Sequence, residues 1–188
     1  MTIHEAQIDH LEKNWPSHKK ESFTWDLGPI KQALPNFSVI RITPKSSDEP
    51  WVYLSHGARE INKNHHDCRE FFILAPSESP RHIETLAMLV NFHASENNFL
   101  TIGACVNIGR GWLEGSNLDH LLISIPYPFG PKLEKCHFDG GNIIKYLWLL
   151  PVNQAEKEYL NQLGLEALES KFDENAIDYL DPNRSSVI

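Results

Sequence analysis

At 188 residues, 41% of them apolar and 22% charged, the chain has the size and composition of one globular domain able to bury its own core. Its formal charge of −8, from 17 basic and 25 acidic side chains, speaks against a nucleic-acid-binding surface, which needs clustered Lys and Arg to displace counterions. Cys68, Cys105 and Cys136 are odd in number and too widely spaced for a disulfide framework, and the first residues lack the basic and apolar segments of a secretory signal. No apolar run approaches the roughly 20 residues that span a bilayer, so the expectation is a soluble cytoplasmic protein without a membrane partner.

Residues 3–14 place Ile3, Ala6, Gln7, His10 and Leu11 on one side of a helix that Pro16 ends. Phe37-Ser-Val-Ile-Arg-Ile42 alternates and is rich in β-branched side chains, which predicts a strand. After a polar turn, Trp51-Val-Tyr-Leu-Ser55 completes a hairpin with it. Residues 56–67 read as a polar loop. Arg69-Glu-Phe-Phe-Ile-Leu-Ala75 is apolar on both faces, as a central strand should be.

Ser79-Pro80 starts a helix, with Ser at the N-cap and Pro where the N–H has no helical partner. Ile83, Leu86, Ala87, Val90 and Ala94 form its inner stripe. Met88, Leu89 and Phe92 widen that stripe, which predicts a well-covered helix. Residues 97–118 form a long connection punctuated by Gly103, Gly109, Gly111 and Gly115, with a short extended piece near 102–108. Connections of this length inside compact domains are often functional.

Residues 119–126 and 142–150 predict two more central strands. Asn153 caps a helix, with Glu156 completing a capping box; Ala155, Tyr159 and Leu163 are its expected inner stripe. Gly164 ends it, and Leu165, Leu168 and Phe172 continue as a second short helix. The order of elements predicts an α/β (α+β) domain with a mixed sheet packed by helices. The strands at 69–75, 120–125 and 143–150 are expected in one sheet, with the helix at 80–95 packed on it.

Three patterns carry possible chemistry. His65-His66-Asp67-Cys68 offers metal-ligand types, but a zinc site needs about four converging ligands and no second paired motif exists, so no metal is expected. Ser116, Asp119 and His120 have the residue types of a hydrolase triad, yet they are too close in sequence to converge and lack a nucleophile elbow. Residues 109–116 are glycine-rich without the Gly-Lys-Ser/Thr ending of a phosphate loop. That segment reads better as recognition. Arg110, Trp112 and Glu114 sit among its glycines, and Tyr127 and Phe129 follow the next strand among prolines. Trp, Tyr and Arg are the types enriched at interface hot spots. The alternative is that Trp112 and Phe129 pin loops to the core.

Several blocks, in order, resemble the suppressor-of-fused domain in its bacterial, single-domain form. They are Trp51-Val-Tyr-Leu-Ser-His-Gly57, Arg69-Glu-Phe-Phe-Ile-Leu-Ala-Pro76, Gly115-Ser-Asn-Leu-Asp-His-Leu-Leu-Ile-Ser-Ile-Pro126 and Tyr127-Pro-Phe-Gly-Pro131. Leu149-Leu-Pro-Val152 with Glu156, Gly164-Leu-Glu-Ala-Leu168 and the tail at 181–187 complete the set, which spans residues 37–187 of a single domain at 1–188. The resemblance implies a domain without catalytic apparatus or cofactor. In animals the related domain helps hold a transcription factor through a short peptide laid in a cleft. Bacterial members are often encoded beside polymorphic toxins and look like immunity proteins. The further C-terminal domain of the animal proteins is missing from this chain, so a two-domain peptide clamp is not expected.

The resulting expectation is a non-catalytic protein-binding module, an immunity protein that sequesters a toxin, with a basic toxin domain as partner. Arg110, Trp112, Glu114, Tyr127 and Phe129 are its expected partner-binding residues. Two other readings stay open. One is a metal-dependent hydrolase or other enzyme using the His-rich loops; the other is a general interaction or scaffold domain.

Overall fold

The structure is a computed structural model and describes residues 2–61, 68–95 and 98–188. In chain order its elements are α1 (Ile3–Asn14), β1 (Lys20–Thr24), α2 (Pro29–Ala33), β2 (Ser38–Ile42), β3 (Trp51–His56), β4 (Cys68–Ala75), α3 (Arg81–Ala94), β5 (Cys105–Asn107), β6 (His120–Ser124), α4 (Pro131–Glu134), β7 (Lys135–Phe138), β8 (Asn142–Val152), α5 (Gln154–Leu163) and α6 (Leu165–Glu174). The strand order is β1-β2-β3-β4-β8-β6-β5, with β7 also paired to β8. The sheet is mixed: β1 to β4 run antiparallel to their neighbours, whereas β4 and β8 are parallel. The three strands read as doubly covered, β4, β8 and β6, are adjacent in this order, as expected from apolar residues on both faces. The edge strand β1 is short and carries Lys20 and Glu21, which blunts pairing with another chain.

The chain divides into two compact units. The first comprises Met1–Phe99 and Ile125–Trp148; the second comprises Leu100–Ser124 and Leu149–Ile188. In the first, all eight residues of β4 are buried, and α3 packs on β2, β3 and β4. The face that α3 buries includes Ile83, Leu86, Ala87, Leu89 and Val90, but also His82, Thr85 and His93. Aromatic partners make the two histidines admissible there. His82 lies 4.9 Å from the Tyr53 ring, and His93 lies 5.1 Å from Phe71 and 4.7 Å from Phe99. The helix begins one residue later than the sequence predicts, at Arg81, with Ser79 Oγ still accepting from the Arg81 N–H at 3.3 Å.

Residues 56–67, read as a polar loop, instead contain a 3-10 turn at Ala58–Ile61 with Ala58 and Arg59 buried. The cause is Glu70 on β4. Its buried carboxylate accepts from Gly57 N (2.9 Å), Ala58 N (3.2 Å), Ser55 Oγ (2.6 Å) and Gln7 Nε2 of α1 (3.2 Å). One buried acid thereby ties the turn, strand β3 and helix α1 together.

In the second unit, β6 is buried throughout, and α5 and α6 pack together. Asn153 caps α5 as predicted: its side chain accepts from Glu156 N, and the Glu156 side chain accepts from Asn153 N. The inner stripe differs from the prediction. Glu156 and Leu160 are buried, while Ala155 and Leu163 are exposed. Arg184 supplies the reason, because its guanidinium meets the Glu156 carboxylate and draws that face inward. Gly164, at φ +87°, separates α5 from α6 in a conformation that favours glycine.

Candidate partner-binding surface

The predicted recognition loop belongs to the second unit, where local hydrogen bonds build it. Asn107 Oδ1 accepts from Gly109 N at 2.6 Å, and Gly109 adopts φ +71°. Trp112 N donates to Leu118 O (2.9 Å), and Ser116 N to Leu113 O (3.2 Å). Ser116 Oγ accepts from Leu118 N (3.1 Å) and donates to Pro182 O in the tail (2.5 Å). Gly111 is required by space, since a Cβ there would run into Ser116 O and stand 2.8 Å from Leu113 O. Trp112 is only 1% exposed, so its ring packs inside and pins the loop. Arg110 is half-buried and Glu114 is exposed.

Tyr127 and Phe129 belong to the first unit. Tyr127 is 56% exposed. Phe129 is half-buried, its ring 5.1 Å from Trp15 at the end of α1 and 6.0 Å from Phe72. It lines a cleft of about 210 Å³ with Trp15, Asn14, His18 and Glu49.

A second cleft of the first unit was not foreseen. It measures about 240 Å³ and is lined by Trp25, Leu27 and Pro29 together with Ala87, Met88 and Asn91, with Glu84 as its charged lining residue. Leu27 is 84% exposed and Met88 50% exposed, and Phe92 follows one turn along α3 at 40%. The prediction of a well-covered α3 therefore fails on one side: Leu89 is buried, whereas Met88 and Phe92 face solvent. Of the three apolar residues outside the five-residue stripe, Leu89 packs inward, while Met88 and Phe92, four residues apart, share the open side.

The residues with catalytic types are engaged elsewhere. His120 Nδ1 lies 2.7 Å from Asp119 Oδ1, but the Ser116 hydroxyl is committed to Pro182 O. Burial pushes the Cys105 thiol up to about 12 and the Cys136 thiol up to about 11, away from reactive thiolate. His65, His66 and Asp67 of the His-rich motif lie outside the described residues, and Cys68 is buried in β4. Among the described residues, no three of His, Cys, Asp and Glu gather as a metal-holding group. Among them also, no helix is long and apolar enough to cross a membrane.

Comparison with known proteins completes the description. The suppressor of fused protein (SUFU) family matches residues 34–185. No curated protein matches the sequence. The crystal structure of a suppressor of fused homolog from Neisseria gonorrhoeae FA 1090 is 45% identical, with a TM-score of 0.86 over 98% of this chain and 96% of that one. A chain of the Sufu–Fu complex crystal structure shares the fold at 16% identity, with a TM-score of 0.73 over 97% of this chain and 91% of that one. Drosophila Suppressor of Fused does so at 15% identity, with a TM-score of 0.74 over 98% of this chain and 51% of that one. A family match across most of the sequence and a solved homolog at 45% identity along nearly its whole length lead to one conclusion: the chain belongs to the suppressor of fused family.

Proposed function

We propose that this protein is a non-catalytic, cytoplasmic binding module that acts by gripping another protein. The observation that carries the reading is the exposed apolar surface around α2 and α3. Leu27 and Met88 stand in solvent on either side of a preformed cleft. Large apolar side chains gathered at one place on a soluble domain mark interaction sites. The chain of like fold in the Sufu–Fu complex supports binding as the mode of action. The partner is a toxin, which the module neutralises by occlusion, without turnover. The net charge of −8 favours a basic toxin domain by steering its approach.

Arg110, Glu114, Tyr127 and Phe129 are further partner-contacting residues in this reading, and Trp112 serves by holding Arg110 and Glu114 in place. Growth rescue tests the proposal. The reading frames neighbouring this chain's gene are expressed with and without it, and any toxic product is purified and its pairing with the chain measured by calorimetry. Rescue together with a stoichiometric complex is the expected result. Rescue without a complex, or turnover of a substrate by the purified protein, would point to an enzyme instead.

A further inference from the structure

We infer that α1 is an acid-released latch: at neutral pH it closes over a polar row on the sheet of the first unit, and it lifts off when His10 and His56 take up protons, before that unit unfolds. The inference goes beyond partner binding and does not depend on it. Of the four residues that α1 buries, Ala6, Gln7, His10 and Leu11, two are polar. The face they cover is polar too. Glu70 and Tyr146 stand opposite each other across β4 and β8. Cys136 of β7 stands opposite Ile144, two residues before Tyr146 and so on the same side of the sheet. Gln7 Nε2 donates to Glu70 Oε1 (3.2 Å) and to Tyr146 Oη (3.4 Å). His10 Nε2 donates to Leu133 O at 3.0 Å, its ring stacked 4.9 Å from that of Tyr146. The Cys136 thiol donates to Ala6 O at 3.4 Å. Gln7 Oε1 is buried without a hydrogen bond among the described residues, a cost that release removes. An element that buries few apolar side chains opens more readily than β4, which is buried along its whole length.

Histidines sit at two points of this contact. His4 of α1 lies edge-on to His56 of β3, the ring centroids 5.9 Å apart, and His56 also faces Arg59 and Glu60 of the 3-10 turn. His10 faces Tyr146 of β8, His137 of β7 and, on its own helix, Asp9 and Lys13. On α4, Glu134 is paired with Lys135 of β7 at 3.2 Å. Burial lowers the pKa of His10, and lowers that of His56 to about 4. Lifting α1 returns both rings towards water and their ordinary value of 6.5, so the released form binds more protons. The latch is therefore tightest above pH 6.5 and weakens as pH falls below it. Glu70 acts in the opposite sense, because burial raises its pKa. However, Ser55, Gly57, Ala58 and Arg59 hold its carboxylate from outside α1, so release of the helix leaves most of its surroundings in place.

Cys136 reports the latch, because its thiol is buried against α1. The probe is 4,4′-dithiodipyridine, which labels thiols in acid as well as at neutral pH, and mass spectrometry locates the label on Cys136 of the full chain. Its labelling rate, divided by that of an unfolded cysteine peptide, is expected to rise at least about tenfold from pH 7 to pH 5. The amides of β4 should keep their protection from hydrogen exchange over the same range. His10→Gln and His56→Gln, which cannot titrate, are made separately, so that one suffices where the other misfolds; each should reduce the acceleration. A labelling rate that does not change with pH overturns the inference. So does a rise matched by loss of β4 protection, which is unfolding of the unit, or full acceleration in either folded variant.

Discussion

Arg184 holds Glu156 through both carboxylate oxygens, Nη1 to Oε1 at 2.6 Å and Nη2 to Oε2 at 2.8 Å, with both side chains buried. Arg184 Nη2 also donates to Pro151 O at 3.0 Å, and Val187 N donates to Glu156 Oε1 at 3.2 Å. The bidentate pair thus docks the C-terminal tail onto the start of α5 and onto the end of β8. Planar matching of guanidinium to carboxylate makes this geometry specific to arginine.

Arg184→Met strands a buried carboxylate and is expected to cost about 3–5 kcal/mol. Replacing both partners, Glu156→Leu with Arg184→Met, should recover most of that loss, because a buried pair roughly breaks even against apolar side chains. Urea denaturation of the two variants at neutral pH measures it. A single variant as stable as wild type would mean that the carboxylate does not depend on the arginine.

His56, at the end of β3, makes the first unit sensitive to acid. Burial lowers its pKa from 6.5 to about 4, with the Arg59 charge adding to the effect. Burial also lowers the pKa of His10. In the unfolded chain each imidazole protonates near its ordinary value, whereas the folded state resists. The stabilisation is therefore complete above pH 6.5 and is lost as pH falls toward 4, by up to about 3 kcal/mol for His56. His56→Gln, which cannot titrate, should flatten the decline of stability across this window. Equal acid profiles for the two proteins would rule out His56 as the source.

Trp112→Ala should behave as the loss of a core side chain, at about 3–5 kcal/mol, with partner binding falling only through unfolding. Tyr127→Ala, at an exposed ring, should change stability by less than about 0.5 kcal/mol. Gly111→Ala should open the loop, because the new Cβ meets backbone oxygens of Ser116 and Leu113 rather than yielding side chains. Calorimetric melting of the three variants, followed by partner titration of those that fold, separates a pin from an anchor. An intact melting temperature in Trp112→Ala combined with lost affinity would reassign the ring to the partner surface.

Leu27→Asp and Met88→Asp should each leave unfolding free energy within about 0.5 kcal/mol of wild type. Leu86→Ala, inside the same helix, should cost about 2–5 kcal/mol. Denaturation curves beside partner affinity distinguish the two faces of α3. A large destabilisation by Leu27→Asp would show that this residue supports the fold instead of waiting for a partner.

Much of this protein was legible in its sequence, wherever a local rule decided the outcome. The Asn153–Glu156 capping box needs only residues three apart, and the two-sided apolar content of β4, β6 and β8 needs only the period of a strand. The order of blocks from Trp51 to Val187 carries the family resemblance without any tertiary contact, and the family match covers residues 34–185. Other features depended on residues far away along the chain. β1 and β7 carry weak patterns of their own and exist because β2 and β8 offer them hydrogen bonds. Glu156 reads from the sequence only as the second member of a capping box, and its pairing with Arg184 needs the tail folded back to it. The Ser116 hydroxyl has no partner legible in the sequence, and in the fold it donates a hydrogen bond to Pro182 O, 66 residues away. Trp112 and Met88 illustrate the limit most directly, since both are large and apolar, yet one is sealed in and the other stands in water. Periodicity ranks which side chains prefer burial, but the space available is set by what the rest of the chain packs against them.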